Sequence, residues 1–202
     1  MALLLARHGE TALNVSRTVQ PADTALSDRG LKQADALAQR LAREYRVSTV
    51  IASDLLRAQQ SAEPIARLLG LTVQREPGLA ERNFGLLRGR AYDSLGFDPL
   101  GLEEAPEGGE SMRAFSERIS RSFGRLCARL GESEGDTLWV THGLVLRELF
   151  AHHLDCTMLA TLPSAGNCSL SVVEGRPPFT VRLAACEAHL NGARARAGVV
   201  GI

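Results

Sequence analysis

The chain has 202 residues, of which 45% are hydrophobic and 23% are charged, and its 23 basic and 23 acidic residues give a formal net charge of zero. We expect residues 1–202 to form a single domain, because this length can bury one substantial hydrophobic core. The balanced charge favours no nucleic-acid partner, and no apolar run approaches the roughly 18 residues of a membrane span, so no membrane partner is expected.

Two features predict a cytoplasmic protein with free thiols. Only a short apolar run precedes Arg7, whereas a secretory signal has roughly 7–15 apolar residues after a basic start. The cysteines show no C-x-x-C spacing, and free buried cysteines are usual in a reducing compartment. They are Cys127, Cys156, Cys168 and Cys186.

Strand-like and helix-like segments alternate in the first part of the chain. Ser27 is a suitable N-cap for a helix whose apolar positions recur at spacings of three and four, at Leu31, Ala34, Ala38, Leu41 and Tyr45. Pro64 is a candidate to kink or split the next helix. The predicted elements, in chain order, are a strand over 3–6, an irregular stretch over 9–26, a helix over 27–45, a strand over 48–52, a helix from 53 or 54 to 70, and a strand over 72–75.

The second part begins with a loop-rich insertion at about 76–110. Its many glycines and prolines are turn signals, and a loop of this length in a compact domain is usually functional or mobile. We place it on the substrate side. The elements predicted after it are a helix capped by Ser111, a strand over 137–140, a helix from about 144, strands over 168–173 and 179–183, and a frayed tail from 188.

This alternation predicts an α/β three-layer sandwich, in which a mostly parallel central sheet has helices on both faces. Ligands of such sheets bind beyond the carboxyl ends of the strands. His8 follows the first strand, Arg57 lies in the first turn after the second, and His142 ends a third. We therefore expect these three side chains at one edge of the sheet.

A phosphate-like anion would suit this predicted edge. Arg7, Arg57, His8 and His142 supply donors, and guanidinium groups match phosphate oxygens in geometry. Each histidine precedes a glycine, in His8-Gly9 and His142-Gly143, and we expect these glycines to let the backbone approach a ligand closely.

The motifs in this chain resemble those of the histidine phosphatase superfamily, which is also called phosphoglycerate-mutase-like. They occur in the family's order between residues 4 and 143. The matching segments are "LARHGETALN", "SDLLRAQQSA", "LAERNFG", "PEGGES" and "VTHG".

The resemblance implies a role for each matching residue. His8 would be the nucleophile that becomes phosphorylated, and Glu81 would be the proton donor. Neither a metal nor another cofactor would be needed. The residues expected to hold the phosphoryl group or the substrate are Arg7, Asn14, Gln20, Arg57, His142 and Gly143. Pro21 follows Gln20 where the family commonly has glycine, which makes the substrate harder to infer.

The resemblance leaves three functions open. The first is hydrolysis of a small-molecule phosphomonoester. The second is phosphoglycerate-mutase-type transfer, whose enzymes usually carry Y-G-x-L-x-G-x-N-K after the acid. This chain has "FGLLRGRAYDS" there, and its single lysine is Lys32, so we favour hydrolysis. The third is an inactive module that binds phosphorylated ligands, which the complete set of catalytic residues disfavours. A homodimer is compatible with the sequence.

Other residues have structural explanations that compete with functional ones. Adjacent side chains on a helix diverge, so a metal site is not expected among His152, His153, Asp155 and Cys156. Ser111 either contacts substrate or only caps its helix. Three arginines either line the substrate mouth or are solvated, namely Arg82, Arg88 and Arg90.

Overall fold

The computed structural model describes residues 1–131, 134–157, 159, 161, 164–175 and 179–190. Within those residues, no helix is long and apolar enough to cross a membrane. The strands are β1 (Leu3–Arg7), β2 (Val47–Ala52), β3 (Val73–Arg75), β4 (Asp136–Thr141), β5 (Leu154–Asp155), β6 (Leu170–Glu174) and β7 (Phe179–Cys186). The α-helices are α1 (Ala12–Val15), α2 (Asp28–Glu44), α3 (Leu56–Leu69), α4 (Met112–Ala128) and α5 (Gly143–His152).

All seven strands form one sheet in the order β3-β2-β4-β1-β6-β7-β5. The β1, β2, β3 and β4 strands are parallel, and β6 runs antiparallel to both of its neighbours, β1 and β7. The β5 strand pairs parallel with β7. The predicted mostly parallel sheet is therefore confirmed, with β6 as its one reversed strand.

Two apolar cores lie on opposite faces of this sheet. Helices α2 and α3 pack on one face against alternate strand side chains, including Leu4, Val50 and Leu138. Helices α4 and α5 cover the other face, where the neighbouring positions Leu5 and Trp139 point. The central strands read as unbroken apolar runs because both of their faces are buried. This arrangement confirms the three-layer sandwich.

The carboxyl ends of β1, β2 and β4 meet at one edge. The backbone N–H of His8 donates to the carbonyl of Thr141 at 2.9 Å, and that of Ser53 donates to the carbonyl of Val140 at 3.0 Å. These bonds extend the parallel ladder past each strand. The residues that follow the three strands are consequently neighbours in space, as the sequence predicted.

Several local predictions are wrong. Helix α3 begins at Leu56, with Leu55 as a cap that makes no side-chain bond, and not at Ser53 or Asp54. Pro64 does not split the helix, since α3 contains it and runs to Leu69. Leu31, assigned to the apolar face of α2, is 45% exposed and is not among the buried residues of that helix.

The insertion at 76–110 contains no strand and no α-helix. It forms four single-turn 3₁₀ helices, separated by turns, at Pro77–Leu79, Gly85–Leu87, Tyr92–Ser94 and Pro99–Gly101. The short α1 and β5 were not predicted. At the other end of the chain, Ala188–Leu190 forms a further 3₁₀ turn with Leu190 buried, so the predicted frayed tail does not begin at 188. The rest of that tail, 191–202, lies outside the described residues.

Gly9 and Gly30 allow two backbone segments to touch. A Cβ atom on Gly9 would lie 2.7 Å from the carbonyl oxygen of Gly30, and one on Gly30 would lie 2.1 Å from the carbonyl oxygen of Glu10. The glycine after His8 therefore admits the start of α2.

We predict that Gly30→Ala destabilises the fold, because its methyl group would overlap backbone that cannot move aside. The expected loss is about 2 kcal/mol or more, seen as a fall in Tm of roughly 4–8 °C in thermal unfolding. Gly124→Ala is the matched control, since it lies in α4 with open space around its Cβ position. It should raise stability by about 0.5–1 kcal/mol. Equal Tm values for the two variants would contradict the close-contact explanation.

Candidate active site

His8 is a buried imidazole held in one orientation. Its Nδ1 atom lies 2.7 Å from the carbonyl oxygen of Gly9, which can only accept a hydrogen bond. The ring hydrogen is therefore on Nδ1, and the lone pair is on Nε2. Burial, and then the charges of Arg57 and Arg7, hold the pKa of His8 well below its ordinary value. The Nε2 atom is thus available as a nucleophile.

Arg7 and Arg57 are buried cations, and each has a hydrogen-bond donor without a partner among the described residues. Arg7 donates through Nη1 to the carbonyl of Ala165 at 2.7 Å, and Arg57 donates through Nη1 to the carbonyl of Pro21 at 3.1 Å. The buried Nε atoms of both arginines have no partner among the described residues. Burial lowers the pKa of both side chains, and that of Arg57 falls to about 10. Guanidinium groups stay protonated in proteins, so both arginines carry a positive charge. The two guanidinium groups can bind an anion.

His142 faces His8 across the site. Their ring centroids are 5.1 Å apart and the rings are tilted by 55°. The Nε2 atom of His142 lies 2.7 Å from the hydroxyl of Ser53, whereas its buried Nδ1 has no partner among the described residues. Burial first, and Arg57 next, lower the pKa of His142 well below its usual value. We assign the Ser53 hydroxyl as the donor to Nε2, which leaves Nδ1–H free to donate to a ligand.

Gly143 lies against the guanidinium group of Arg7. A Cβ atom at this position would lie 3.5 Å from Cζ of Arg7, in ordinary van der Waals contact. As the first residue of α5, Gly143 brings the amino end of that helix onto the Arg7 guanidinium.

Glu81 is bound to the amino end of α5. Its Oε2 accepts from the N–H of Leu144 at 3.2 Å, and its Oε1 accepts from the N–H of Arg82 at 3.0 Å. Burial raises the pKa of Glu81 and outweighs the opposing effects of these two bonds and of Arg57 and Arg7. A carboxyl group of this kind can keep its proton to a higher pH than an ordinary glutamate.

The loop that carries Glu81 is fixed by Arg118, which the sequence did not single out. The Nη1 atom of Arg118 donates to the carbonyls of Gly78 and Ala80, both at 3.0 Å. Its Nε and Nη2 atoms bind the two carboxylate oxygens of Glu110 at 2.8 and 2.9 Å. Arg118 and Glu110 lie in segments far from Glu81 in sequence, so local patterns gave no signal for this contact.

Arg82 is a buried side chain that connects two parts of the insertion and its C-terminal end. It donates to the carbonyls of Glu110 and Glu104 at 2.9 and 3.0 Å and is only 2% exposed. The alternative that Arg82 is a solvated side chain is therefore wrong. Arg88 and Arg90 are exposed.

Asn14 and Gln20 lie in the loop after β1. The Oδ1 atom of Asn14 accepts from the N–H of Thr11 at 3.1 Å and from the amide of Asn167 at 3.2 Å. The side-chain nitrogen Nδ2 of Asn14 has no hydrogen-bond partner among the described residues and can donate to a ligand. The Oε1 atom of Gln20 accepts from the Thr11 hydroxyl at 3.0 Å. Asn167 also donates to the carbonyl of His8 at 3.1 Å, a contact that no sequence pattern indicated.

The other candidate residues have structural roles. Ser111 caps α4 by accepting from the N–H of Ala114 at 3.1 Å. His153 contacts the hydroxyl of Ser120 at 3.1 Å. In the part of the chain that the structure describes, no group of three or more histidine, cysteine, aspartate or glutamate side chains could hold a metal ion.

Comparison with known proteins assigns this site to a family. A family model described as the histidine phosphatase superfamily (branch 1) matches residues 3–181, which is most of the chain. The chain belongs to the histidine phosphatase superfamily. Members of this superfamily are phosphatases or mutases.

Proteins named as mutases and proteins named as phosphatases are both similar to this chain. A probable phosphoglycerate mutase GpmB from Erwinia tasmaniensis is 34% identical over 191 residues, which cover 86% of this chain and 85% of that protein. A mycobacterial glucosyl-3-phosphoglycerate phosphatase in complex with VO3 has a TM-score of 0.78 and 27% identity, over 92% of this chain and 99% of that one. A putative α-ribazole-5′-P phosphatase from Escherichia coli has a TM-score of 0.78 and 28% identity, over 91% and 95% of the two chains.

Proposed function

We propose that this chain is a metal-independent phosphomonoester hydrolase, which acts on a small phosphorylated metabolite through a phosphohistidine at His8. The observation that carries the proposal is the lone pair on His8 Nε2 in a buried site with unpartnered donors. Those donors are Nε of Arg7, Nε of Arg57 and Nδ1 of His142. A phosphoryl group would satisfy all three donors and place its phosphorus beside the nucleophile.

In the first half-reaction, His8 Nε2 attacks phosphorus while the bond from phosphorus to the substrate oxygen breaks. Charge on the three equatorial oxygens is stabilised by the guanidinium groups of Arg7 and Arg57. Glu81 gives its proton to the departing oxygen, which leaves as a neutral alcohol. Phospho-His8 and a Glu81 carboxylate remain.

In the second half-reaction, a water molecule gives a proton to Glu81 and attacks the phosphorus of phospho-His8. The bond between phosphorus and Nε2 breaks, and His8 regains its lone pair. Inorganic phosphate is released, and Glu81 is again protonated. One carboxyl group therefore serves as acid and then as base, which suits a group with a raised pKa.

The alternative function is phosphoglycerate-mutase-type transfer, and the name of the relative from Erwinia tasmaniensis favours it. The segment after Glu81 favours hydrolysis. Where mutases of this family usually have Asn-Lys, this chain has Ala91 and Tyr92, and its one lysine, Lys32, lies in α2. A transferase must retain its charged intermediate, and the loss of this cation weakens that retention.

We predict that the purified protein hydrolyses p-nitrophenyl phosphate in the presence of a chelator and that His8→Ala abolishes this turnover. The physical reason is that the alanine variant has no group able to accept the phosphoryl group. His152→Ala is the matched control, because His152 is an exposed histidine at the end of α5. Turnover that needs added metal, or that survives in His8→Ala, would contradict the proposal.

We predict that Glu81→Gln slows hydrolysis according to the leaving group. An alkyl phosphate needs protonation of its departing oxygen, so its kcat should fall by roughly 10²–10⁴-fold, whereas p-nitrophenyl phosphate should be affected far less. In the wild type, kcat/KM should fall as pH rises above the raised pKa of Glu81, because the acid form is lost. Glu81→Gln should lack this decline.

Glu104→Gln, which replaces an exposed carboxylate, is the control for that experiment. This variant should hydrolyse both substrates at the wild-type rate. Equal slowing of alkyl and aryl substrates by Glu81→Gln would mean that Glu81 is not the proton donor.

A further inference from the structure

The carbonyl group that holds the ring hydrogen of His8 belongs to the peptide unit between Gly9 and Glu10. The Nδ1 atom of His8 lies 2.7 Å from the carbonyl oxygen of Gly9, and the N–H of Glu10 is the other polar group of this peptide unit. A trans peptide unit is planar, and its N–H and C=O groups point in opposite directions. Whatever fixes the N–H of Glu10 therefore also fixes the direction of the Gly9 carbonyl.

The N–H of Glu10 is bound by the side chain of Gln33. It donates to the Oε1 atom of Gln33 at 2.8 Å. Gln33 lies in α2, outside the five segments that match the family motifs, and is 5% exposed. A buried backbone N–H needs an acceptor, and a glutamine amide oxygen can accept while the side chain stays neutral. Gln33 therefore meets this need without adding a charge beside the two arginines.

The start of α2 holds Glu10 closely against Gln33. A Cβ atom on Gly30 would lie 2.9 Å from the backbone nitrogen of Glu10. The carbonyl of Glu10 accepts from the N–H of Ser27 at 2.9 Å, and its carboxylate binds Nη1 of Arg29 at 2.9 Å. Because these contacts all come from one helix and its cap, the bond to Gln33 is part of a fixed arrangement.

The preceding peptide unit, between His8 and Gly9, is fixed by another helix. Its N–H, on Gly9, donates to the hydroxyl of Ser61 in α3 at 2.9 Å. That hydroxyl is fully buried and donates to the carbonyl of Arg57 at 2.6 Å. Ser61 thus holds the peptide unit that precedes the Gly9 carbonyl, whereas Gln33 holds the unit that contains it.

The tautomer of His8 decides whether its Nε2 atom can attack phosphorus. The hydrogen bond made by one ring nitrogen determines which of the two nitrogens carries the hydrogen. With the hydrogen on Nδ1, the lone pair is on Nε2, as the proposed attack requires. An amide whose N–H is already hydrogen-bonded is also a stronger acceptor at its carbonyl oxygen. The Gln33 contact therefore aims the Gly9 carbonyl and strengthens it as an acceptor.

We infer that Gln33 is a positioning residue, which holds His8 in the tautomer with its hydrogen on Nδ1 by fixing the peptide unit between Gly9 and Glu10. Gln33 acts through the backbone and not on the phosphoryl group itself. The inference deepens the proposed function and rests on it for its effect on catalysis, since His8 is the nucleophile of that proposal. The tautomer itself can be measured without any substrate.

The first test is the ¹⁵N NMR spectrum of histidine-labelled protein at pH 7, where the lowered pKa of His8 keeps its ring neutral. Signals that are missing from the spectrum of His8→Ala identify His8. In the wild type, Nδ1 should give a protonated-type shift and Nε2 an unprotonated-type shift. Gln33→Met removes the acceptor at similar side-chain length, and both shifts should move towards each other as the second tautomer becomes populated. Wild-type shifts in Gln33→Met would overturn the inference.

Two further variants separate positioning from loss of packing. Gln33→Glu keeps an acceptor oxygen and should restore the wild-type shifts of His8. Gln60→Met is the matched control, because Oε1 of Gln60 accepts from the N–H of Leu26 at 2.8 Å and so holds a different loop. Its His8 shifts should be those of the wild type. Equal changes in both methionine variants, or no restoration by Gln33→Glu, would overturn the inference. Gln33→Ala, whose side chain is too small to overlap a neighbour, replaces Gln33→Met if that variant does not fold.

Turnover of p-nitrophenyl phosphate gives a second measurement. In Gln33→Met, kcat should fall by about 5–100-fold, the effect expected when a buried N–H loses its acceptor. KM should not rise, because Arg7, Arg57 and His142 keep their donors. A raised KM with unchanged kcat would overturn the inference.

The NMR result separates this inference from the proposed function. Shifted His8 signals in Gln33→Met, together with no phosphohistidine in the wild type, would support the role of Gln33 and contradict the proposed function. Unshifted signals, together with phosphohistidine at His8, would overturn the role of Gln33 and leave the proposed function standing.

Discussion

The arrangement of the site depends on two buried guanidinium groups that share one nearby carboxyl group. Arg7 is 6% exposed and Arg57 is 2% exposed, and Glu81 is the acidic group that acts most strongly on both. Buried charges are costly unless they are paired and hydrogen-bonded. Backbone carbonyls of Ala165 and Pro21 meet part of this requirement, and an incoming phosphoryl group would supply the rest.

The same excess of positive charge sets the chemistry of the neighbouring groups. Burial, and then the charges of the two arginines, disfavour imidazolium at His8 and His142, so His8 keeps its lone pair when no phosphate is bound. The positive charge of the two arginines opposes the effect of burial on the pKa of Glu81 but does not cancel it. Burial is the largest cause of all three pKa directions, and the charges of both arginines act on all three groups. Replacing either arginine would therefore change His8, His142 and Glu81 together.

The fold holds this arrangement at a rigid edge. Parallel pairing of β1, β2 and β4 fixes where His8, Ser53 and His142 emerge. Glu81 comes from outside the sheet, and its loop is held to α4 by Arg118 and Glu110. The position of His8 is thus set by the sheet, and that of Glu81 by an ion pair between distant segments.

The sequence predicted what depends on strand order and local pattern. His8, Arg57 and His142 were expected together because parallel strands end at the same edge, and the structure brings them together. The start of α3 was wrong because the Ser53 hydroxyl contacts His142 and does not cap the helix. Local propensity could not reveal this competition.

Contacts between distant segments were also missed. Asn167 reaches the His8 carbonyl, and Arg82 reaches the carbonyl of Glu110, from positions whose neighbours in sequence gave no signal. Pattern reasoning follows spacing along one element, whereas these contacts depend on the paths of two irregular loops.

The central claim is that His8 carries the phosphoryl group during the reaction. The most direct measurement is to quench the wild-type protein in alkali during turnover of p-nitrophenyl phosphate and to locate the added phosphoryl mass by peptide mass spectrometry. Our account predicts that this mass appears on the peptide containing His8 and disappears once substrate is exhausted. Turnover in the same sample with no phosphorylated His8, or with the phosphoryl group on another residue, would contradict it.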